Sequence, residues 1–175
     1  MNRIIYLGGG CFWCIESVYK KIKGVISITP GYMGGDIVNP TYEEVCEGYT
    51  NHVEVVKIEF DNRITLIQIL SIFFTVHDPT SINKQGGDVG TQYRSAIFCD
   101  NDIRKVIIDF IKNIEFNKIY TDKIVTEVNE KTDFYKAEIY HHDYYTKNPK
   151  NAYCQAVINP KLNKLRSVFS DLISE

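Results

Sequence analysis

Apolar and polar positions along this chain switch between two periods, and the switches mark its elements. Residues 3–8 (Arg3-Ile4-Ile5-Tyr6-Leu7-Gly8) form a short continuous apolar run, as a buried central strand does. Beyond Gly8-Gly9-Gly10 the residues Cys11, Ile15, Val18 and Ile22 recur at i, i+4, i+7 and i+11, which predicts a helix ended by Gly24. Residues 25–32 alternate as a strand, a loop with Gly34, Gly35 and Pro40 leads to a short helical turn over 42–46, and residues 53–60 alternate again. Leu66, Ile69, Leu70, Phe73, Phe74 and His77 mark a second amphipathic helix, followed by a polar, glycine-rich loop over 78–92 and a short strand over 94–99. A third helix runs through Ile103, Val106, Ile107, Phe110, Ile111 and Ile114, with Asp100 or Asn101 as its N-cap, and residues 123–128 read as a fifth strand. Leu162, Leu165, Val168, Phe169 and Leu172 mark a last helix docked on the body, and the polar residues 141–160 before it are expected to be mobile.

Up to residue 99 the order is β-α-β-β-α-β, the split βαβ pattern of a ferredoxin-like sandwich. The expected fold is α+β, with two layers, helices on one face of a mixed sheet, C-terminal segments appended, and one domain over residues 1–175. No repeat or Ser/Pro-rich linker suggests a second domain.

Composition removes several classes of function. Apolar residues make up 44% and charged residues 24% of the 175, which excludes a disordered or collagen-like chain. A net charge of −2 gives no field to attract nucleic acid or an anionic membrane. The N-terminal apolar run is too short for a signal-peptide core, and the stretch over 67–76 is about half of what a bilayer needs, so a cytoplasmic, monomeric protein is expected. The five cysteines, Cys11, Cys14, Cys46, Cys99 and Cys154, are odd in number and scattered, which suits a reducing compartment.

Chemistry concentrates where the first strand meets the first helix, in Gly8-Gly9-Gly10-Cys11-Phe12-Trp13-Cys14. Unpaired N–H groups and the positive end of a helix dipole stabilise a thiolate there, which makes Cys11 a candidate nucleophile. The ordinary alternative is a small cysteine packed beside Ile15. The glycines lack the spacing of a phosphate loop. Cys11 and Cys14 form a C-x-x-C pair fit for a redox dithiol or half of a zinc site; zinc is the weaker reading, since no second close pair exists and His141-His142 is an adjacent dipeptide expected on an exposed helix. In the strand over 53–60, Glu54 shares its face with Val56, Ile58 and Phe60. A carboxyl on that face is desolvated and holds a proton at neutral pH as a general acid, unless it sits at a frayed strand end and bends into water. His52 is either an edge residue or the group that orients Glu54. Tyr42 and Tyr93 stand out among twelve tyrosines because each lies in a turn-rich segment. A thioredoxin-like disulfide oxidoreductase, a cysteine hydrolase with His52 as base, and a zinc-held interaction module remain open from the residues alone.

Taken together, Gly10-Cys11-Phe12-Trp13, Gly31-Tyr32-Met33-Gly34-Gly35, Asn39-Pro40-Thr41-Tyr42, His52-Val53-Glu54, residues 73–79, and the run from Gln85 to Ser95 resemble the methionine sulfoxide reductase A family over nearly the whole chain. The resemblance implies reduction of methionine-S-sulfoxide, free or in proteins, and so protein repair after oxidative damage. It implies that Cys11 attacks the sulfoxide sulfur and becomes a sulfenic acid, that Glu54 protonates the oxygen while Tyr42 and Tyr93 hold it, that Phe12 and Trp13 receive the S-methyl group, and that Asp88 orients substrate or water. It implies no metal or organic cofactor, and thioredoxin as the reductant. The family's resolving cysteine falls at Cys154, on the segment expected to be mobile. The chain departs from the pattern at Cys14 and at Asn51, where glycine is common. Cys14 is therefore an alternative resolving thiol. Cys154 is the preferred one on the ground that two residues three apart in a helix meet disulfide geometry only with strain.

Overall fold

The computed structural model describes residues 2–174. In chain order they form β1 (Arg3–Gly8), α1 (Phe12–Tyr19), β2 (Val25–Met33), α2 (Tyr42–Glu47), β3 (Val53–Phe60), α3 (Leu66–Val76), β4 (Lys84–Gln85), β5 (Asp88–Val89), β6 (Ala96–Cys99), α4 (Asn101–Phe116), β7 (Glu127–Glu130), β8 (Tyr135–Lys136), α5 (Tyr144–Lys147) and α6 (Asn159–Phe169), with short 3-10 turns at Thr91–Tyr93 and Ile139–His141 and a π-helical stretch at Cys154–Ile158. The main sheet runs β7-β6-β1-β3-β2-β8. Its four central strands, β6-β1-β3-β2, are mutually antiparallel, and β7 joins β6 in parallel, so the sheet is mixed. With α1 and α3 as the crossovers this is the expected ferredoxin-like arrangement.

Strand periodicity divides the core. Ile5 and Leu7 of β1 and Val56, Ile58 and Phe60 of β3 point toward the helices, where they join Ile15 and Val18 of α1, Ile69, Leu70 and Phe73 of α3, and Leu162 and Leu165 of α6. Tyr6, Val53, Val55 and Phe98 point the other way into a small cluster covered by Phe134. The helix layer fixes the site because it sets the height at which α1 leaves β1.

Three segments differ from the sequence reading. The last parallel strand lies at Glu127–Glu130 and not over 123–128; Ile124 is buried ahead of it, and its N–H donates to the Glu115 carboxylate at 3.2 Å. The loop over 78–92 contains a small hairpin, β4 with β5, that reaches back under the start of α1. The polar residues 141–160 are built into short helices against α1. The N–H of Asp143 donates to both Glu16 carboxylate oxygens at 3.0 Å, and Cys154 and Ile158 are fully buried. Apolar residues spaced within a polar run, Tyr144, Tyr145, Tyr153, Cys154 and Ile158, supply the packing that overall polarity hid.

Candidate active site

The glycine run brings the chain off β1 at close quarters. Gly10 has φ +92°, and a Cβ there would lie 2.7 Å from Gln85 Cγ, so only glycine fits under the β4–β5 hairpin. Cys11 follows with φ −61° and ψ 128°, an extended residue that caps α1 from outside the helix, and its carbonyl accepts the Cys14 N–H at 3.0 Å. Its side chain is 8% exposed, and the next residue's N–H, that of Phe12, donates to Glu54 Oε1 at 3.3 Å.

Glu54 is where the alternation places it, on the helix side of β3 and 1% exposed. Burial pushes its carboxyl up to about 8 against the pull of the Phe12 N–H, and its Oε2 has no hydrogen-bond partner among the described residues. A proton-holding acid with one unengaged oxygen thus sits at the foot of the Cys11 helix. Tyr93 and Tyr42 are raised by burial first, with Cys46 next for Tyr42 and the Glu54 charge adding to each, so both keep their hydroxyl protons. His52 does not orient Glu54. Its Nδ1 accepts the Gly35 N–H at 3.0 Å and its Nε2 donates to the Ile37 carbonyl at 2.7 Å, which pins the loop before α2.

Burial also pushes the Cys11 thiol well above its ordinary value; the Cys14 side chain and the Glu54 charge add to this, and the Trp13 N–H opposes it. The expected thiolate at Cys11 is therefore not the resting form, because desolvation outweighs the helix terminus. The neighbouring Cys11 side chain lowers the Cys14 thiol against the opposing effect of burial, and the Tyr153 hydroxyl and the Lys161 charge add to the drop. Of the two thiols, Cys14 is the one held toward ionisation.

Phe12 and Trp13 form one wall with residues the sequence reading passed over. His141, expected to be exposed, is 0% exposed and packs between rings, 4.9 Å from Phe12 and 4.4 Å from Tyr42 between centroids. Its Nδ1 accepts the Trp13 Nε1–H at 3.0 Å, and burial lowers its basicity, so the ring is neutral. Tyr144 stacks on Trp13 at 3.6 Å and 3°. Glu138 draws this segment in by accepting from the Tyr32 hydroxyl and the Tyr42 N–H, each at 3.0 Å. The need of a part-buried indole N–H for a partner is the one signal that could have pointed to His141.

Asp88 and Cys154 lie elsewhere. Asp88 accepts the Tyr153 hydroxyl at 2.5 Å, and Tyr153 is in turn 3.5 Å from Cys14 Sγ. These groups line a cavity of about 490 Å³ shared by Cys11, Cys14, Val157 and Lys161. Cys154 is packed in the apolar core and does not line it. Among the described residues no group of three or more His, Cys, Asp or Glu is placed to hold a metal ion.

Two neighbouring cysteines on one cavity beside a buried carboxylic acid are equipment for moving electron pairs at sulfur, and they define a thiol oxidoreductase. More particularly, the chain belongs to the peptide methionine sulfoxide reductase family, whose model matches residues 3–172. It is 53% identical over 173 residues to the peptide methionine sulfoxide reductase MsrA of Saccharolobus solfataricus, covering 98% of this chain and 97% of that protein. It is 53% identical over 165 residues to the enzyme of that name from Campylobacter jejuni, covering 93% and 98%. Among solved structures it superposes on reduced Mxr1 from Saccharomyces cerevisiae with a TM-score of 0.80 at 34% identity, covering 86% of this chain and 87% of that one. It also superposes on methionine sulfoxide reductase A of Corynebacterium diphtheriae with a TM-score of 0.75 at 32% identity, covering 86% and 76%.

Proposed function

We propose that this protein reduces methionine-S-sulfoxide, free or within proteins, by attack of Cys11 on the sulfoxide sulfur, and so serves protein repair. The observation that carries this reading is the buried, protonated Glu54 with a free oxygen beside the Cys11 cap. As the Cys11 sulfur bonds to the substrate sulfur, the S–O oxygen gains basicity, Glu54 gives it a proton, and the Tyr42 and Tyr93 hydroxyls hold it. The oxygen passes to Cys11 as a sulfenic acid, methionine leaves, and the proton of the Cys11 thiol restores Glu54. Atoms balance as thiol plus sulfoxide giving sulfenic acid plus thioether. Phe12 and Trp13 receive the S-methyl group, with Trp13 held flat by Tyr144 and His141. Asp88 acts through Tyr153 on the second sulfur and not on the substrate oxygen.

A second thiol then closes on the Cys11 sulfur. Cys154 is the family's position for it, but the geometry supports Cys14 as the first to react: Cys11 lies outside the helix, which removes the objection of helical strain, and the two side chains line one cavity that Cys154 does not reach. The resulting disulfide is reopened by an external dithiol, with thioredoxin the family's choice. A C-x-x-C pair also suits a general disulfide oxidoreductase, but that reading gives Glu54 and the aromatic wall no task.

Turnover of the separate S and R epimers of a protected methionine sulfoxide with dithiothreitol tests the reading. S-selective activity that vanishes in Cys11→Ser is the expected result, and turnover of neither epimer by the folded, reduced protein would sink it.

A further inference from the structure

The cavity beside the two sulfurs contains a charge that the reaction described so far does not use. Lys161 enters with α6, whose second residue is Pro160, and its Nζ donates to the carbonyl of Val76, the last residue of α3, at 2.7 Å. The same side chain lines the 490 Å³ cavity with Cys11, Cys14, Asp88 and Tyr153, and it is the one cation among the described residues that line it. It forms no ion pair with a carboxylate among the described residues.

The titratable groups near Cys14 come from every element around it: the Cys11 thiol from the helix cap, Asp88 from β5, Tyr153 from the segment before α6 and Lys161 from α6 line the cavity with it, whereas Glu54 of β3 and the core-packed Cys154 do not. Glu54 holds its proton near neutrality and adds no charge there. Asp88 is the one carboxylate, and it is engaged by Tyr153. Lys161 is thus the one cationic side chain among the described residues that shares this sulfur's cavity. We propose that Lys161 is the positioning residue of the resolving step, its ammonium facing Cys14 so that this sulfur is ready as the attacking anion when Cys11 becomes a sulfenic acid. The proposal rests on the reading of Cys14 as the first resolving thiol.

The step is Cys14 thiolate plus Cys11 sulfenic acid plus a proton giving a Cys11–Cys14 disulfide and water. The Cys14 electron pair forms the S–S bond, the S–O bond breaks, and the departing hydroxide takes a proton from solvent in the cavity. Burial disfavours the ammonium and the thiolate separately, each charge lowers that cost for the other, and the bond to the Val76 carbonyl holds the lysine in place.

The test is site-resolved alkylation of Cys14 by iodoacetamide against pH, read by peptide mass spectrometry on the full chain. Wild type is compared with Lys161→Gln, which keeps a donor for the Val76 carbonyl, and Lys161→Arg, which keeps the charge. Lys161→Gln is expected to move the Cys14 midpoint up by about one pH unit or more and to slow Cys11–Cys14 bond formation at pH 7 about tenfold after one equivalent of sulfoxide. Lys161→Arg is expected to restore both. An unchanged midpoint in folded Lys161→Gln, or equal shifts in the two variants, overturns the assignment. A wild type that forms no Cys11–Cys14 bond overturns the reading on which it rests, and it does so in a separate measurement.

Discussion

Glu54 lies among Val56, Ile58 and Phe60 because strand alternation leaves it no other side, so its acidity follows from the same pattern that builds the core. Its folded-state value of about 8 stands above the ordinary carboxyl value of 4.5. Below the lower value both folded and unfolded chains hold the proton. Between the two values the unfolded chain ionises and the folded one does not, so stability falls as pH rises through that window, by roughly 5 kcal/mol at most. Glu54→Gln keeps an acceptor for the Phe12 N–H and removes the ionisation. It should cut single-turnover methionine formation by about a hundredfold or more while raising the melting temperature at pH 8, with the gain shrinking toward pH 5. The wild-type rate itself should decline as pH passes about 8. A melting temperature unaffected by the substitution at pH 8 would show that the carboxyl is not the buried acid described. Glu54 was legible in the sequence because period two is a strong signal. His141 was not, since a histidine in a polar run betrays its burial only through the distant Trp13 that binds it.

Elements decide where these side chains meet. The strands over residues 3–8, 25–33, 53–60 and 96–99 and the helices over 12–19, 66–76, 101–116 and 159–169 were legible because each has one apolar face over several turns or pleats, while the strand at 127–130 was read a few residues early and the two-residue strand at 135–136 was not read. The hairpin over 84–89 and the short helices after 139 were not, since two or three residues carry no period. Helix starts matter as much as helix faces. Reading Cys11 as part of the helix led to the strain argument against Cys14, whereas the structure makes it the cap. Asn51, which stands where the family pattern has glycine, adopts φ 60°, a left-handed conformation that asparagine tolerates better than most residues. The helix over 66–76 carries Phe73 and leads to His77, and both pack against Gly9. It begins with a reciprocal capping box in which the Gln68 N–H donates to Thr65 Oγ1 at 3.1 Å and the Thr65 N–H donates to Gln68 Oε1 at 2.9 Å. Thr65→Ala should lower the unfolding free energy by about 1 kcal/mol with an unchanged denaturant slope. Activity of the folded variant should match wild type, because the cap is far from the sulfurs. A loss of turnover without a loss of stability would contradict this division of labour.

The whole molecule is closed by its last fifth. Residues 138–161 supply Glu138, His141, Tyr144, Tyr153 and Lys161 to the site, and the chain ends in a clamp on the turn after α1, with the Lys23 N–H donating to the Leu172 carbonyl at 2.8 Å and the Ser174 N–H to the Lys21 carbonyl at 2.7 Å. A bond between Cys11 and Cys14 would leave that cover in place, since both residues line the cavity under it, whereas Cys154 is fully buried in the π-helical stretch and outside that lining. After one equivalent of sulfoxide, peptide mapping should find Cys11 joined to Cys14 with Cys154 as a free thiol, and hydrogen exchange over 144–158 should stay at the level of the reduced protein. A Cys11–Cys154 bond with rapid exchange there would reverse the assignment. The same late cover bears on how the protein is made. Trp13 and the His141 that binds it are 128 residues apart, so at about 5–20 residues per second the ribosome releases the two thiols several seconds before their roof exists. During that interval they ionise near pH 8.5, as free thiols do. The unfinished polypeptide is therefore more open to oxidants than the finished enzyme, and a ribosome stalled before residue 138 exposes an unguarded dithiol.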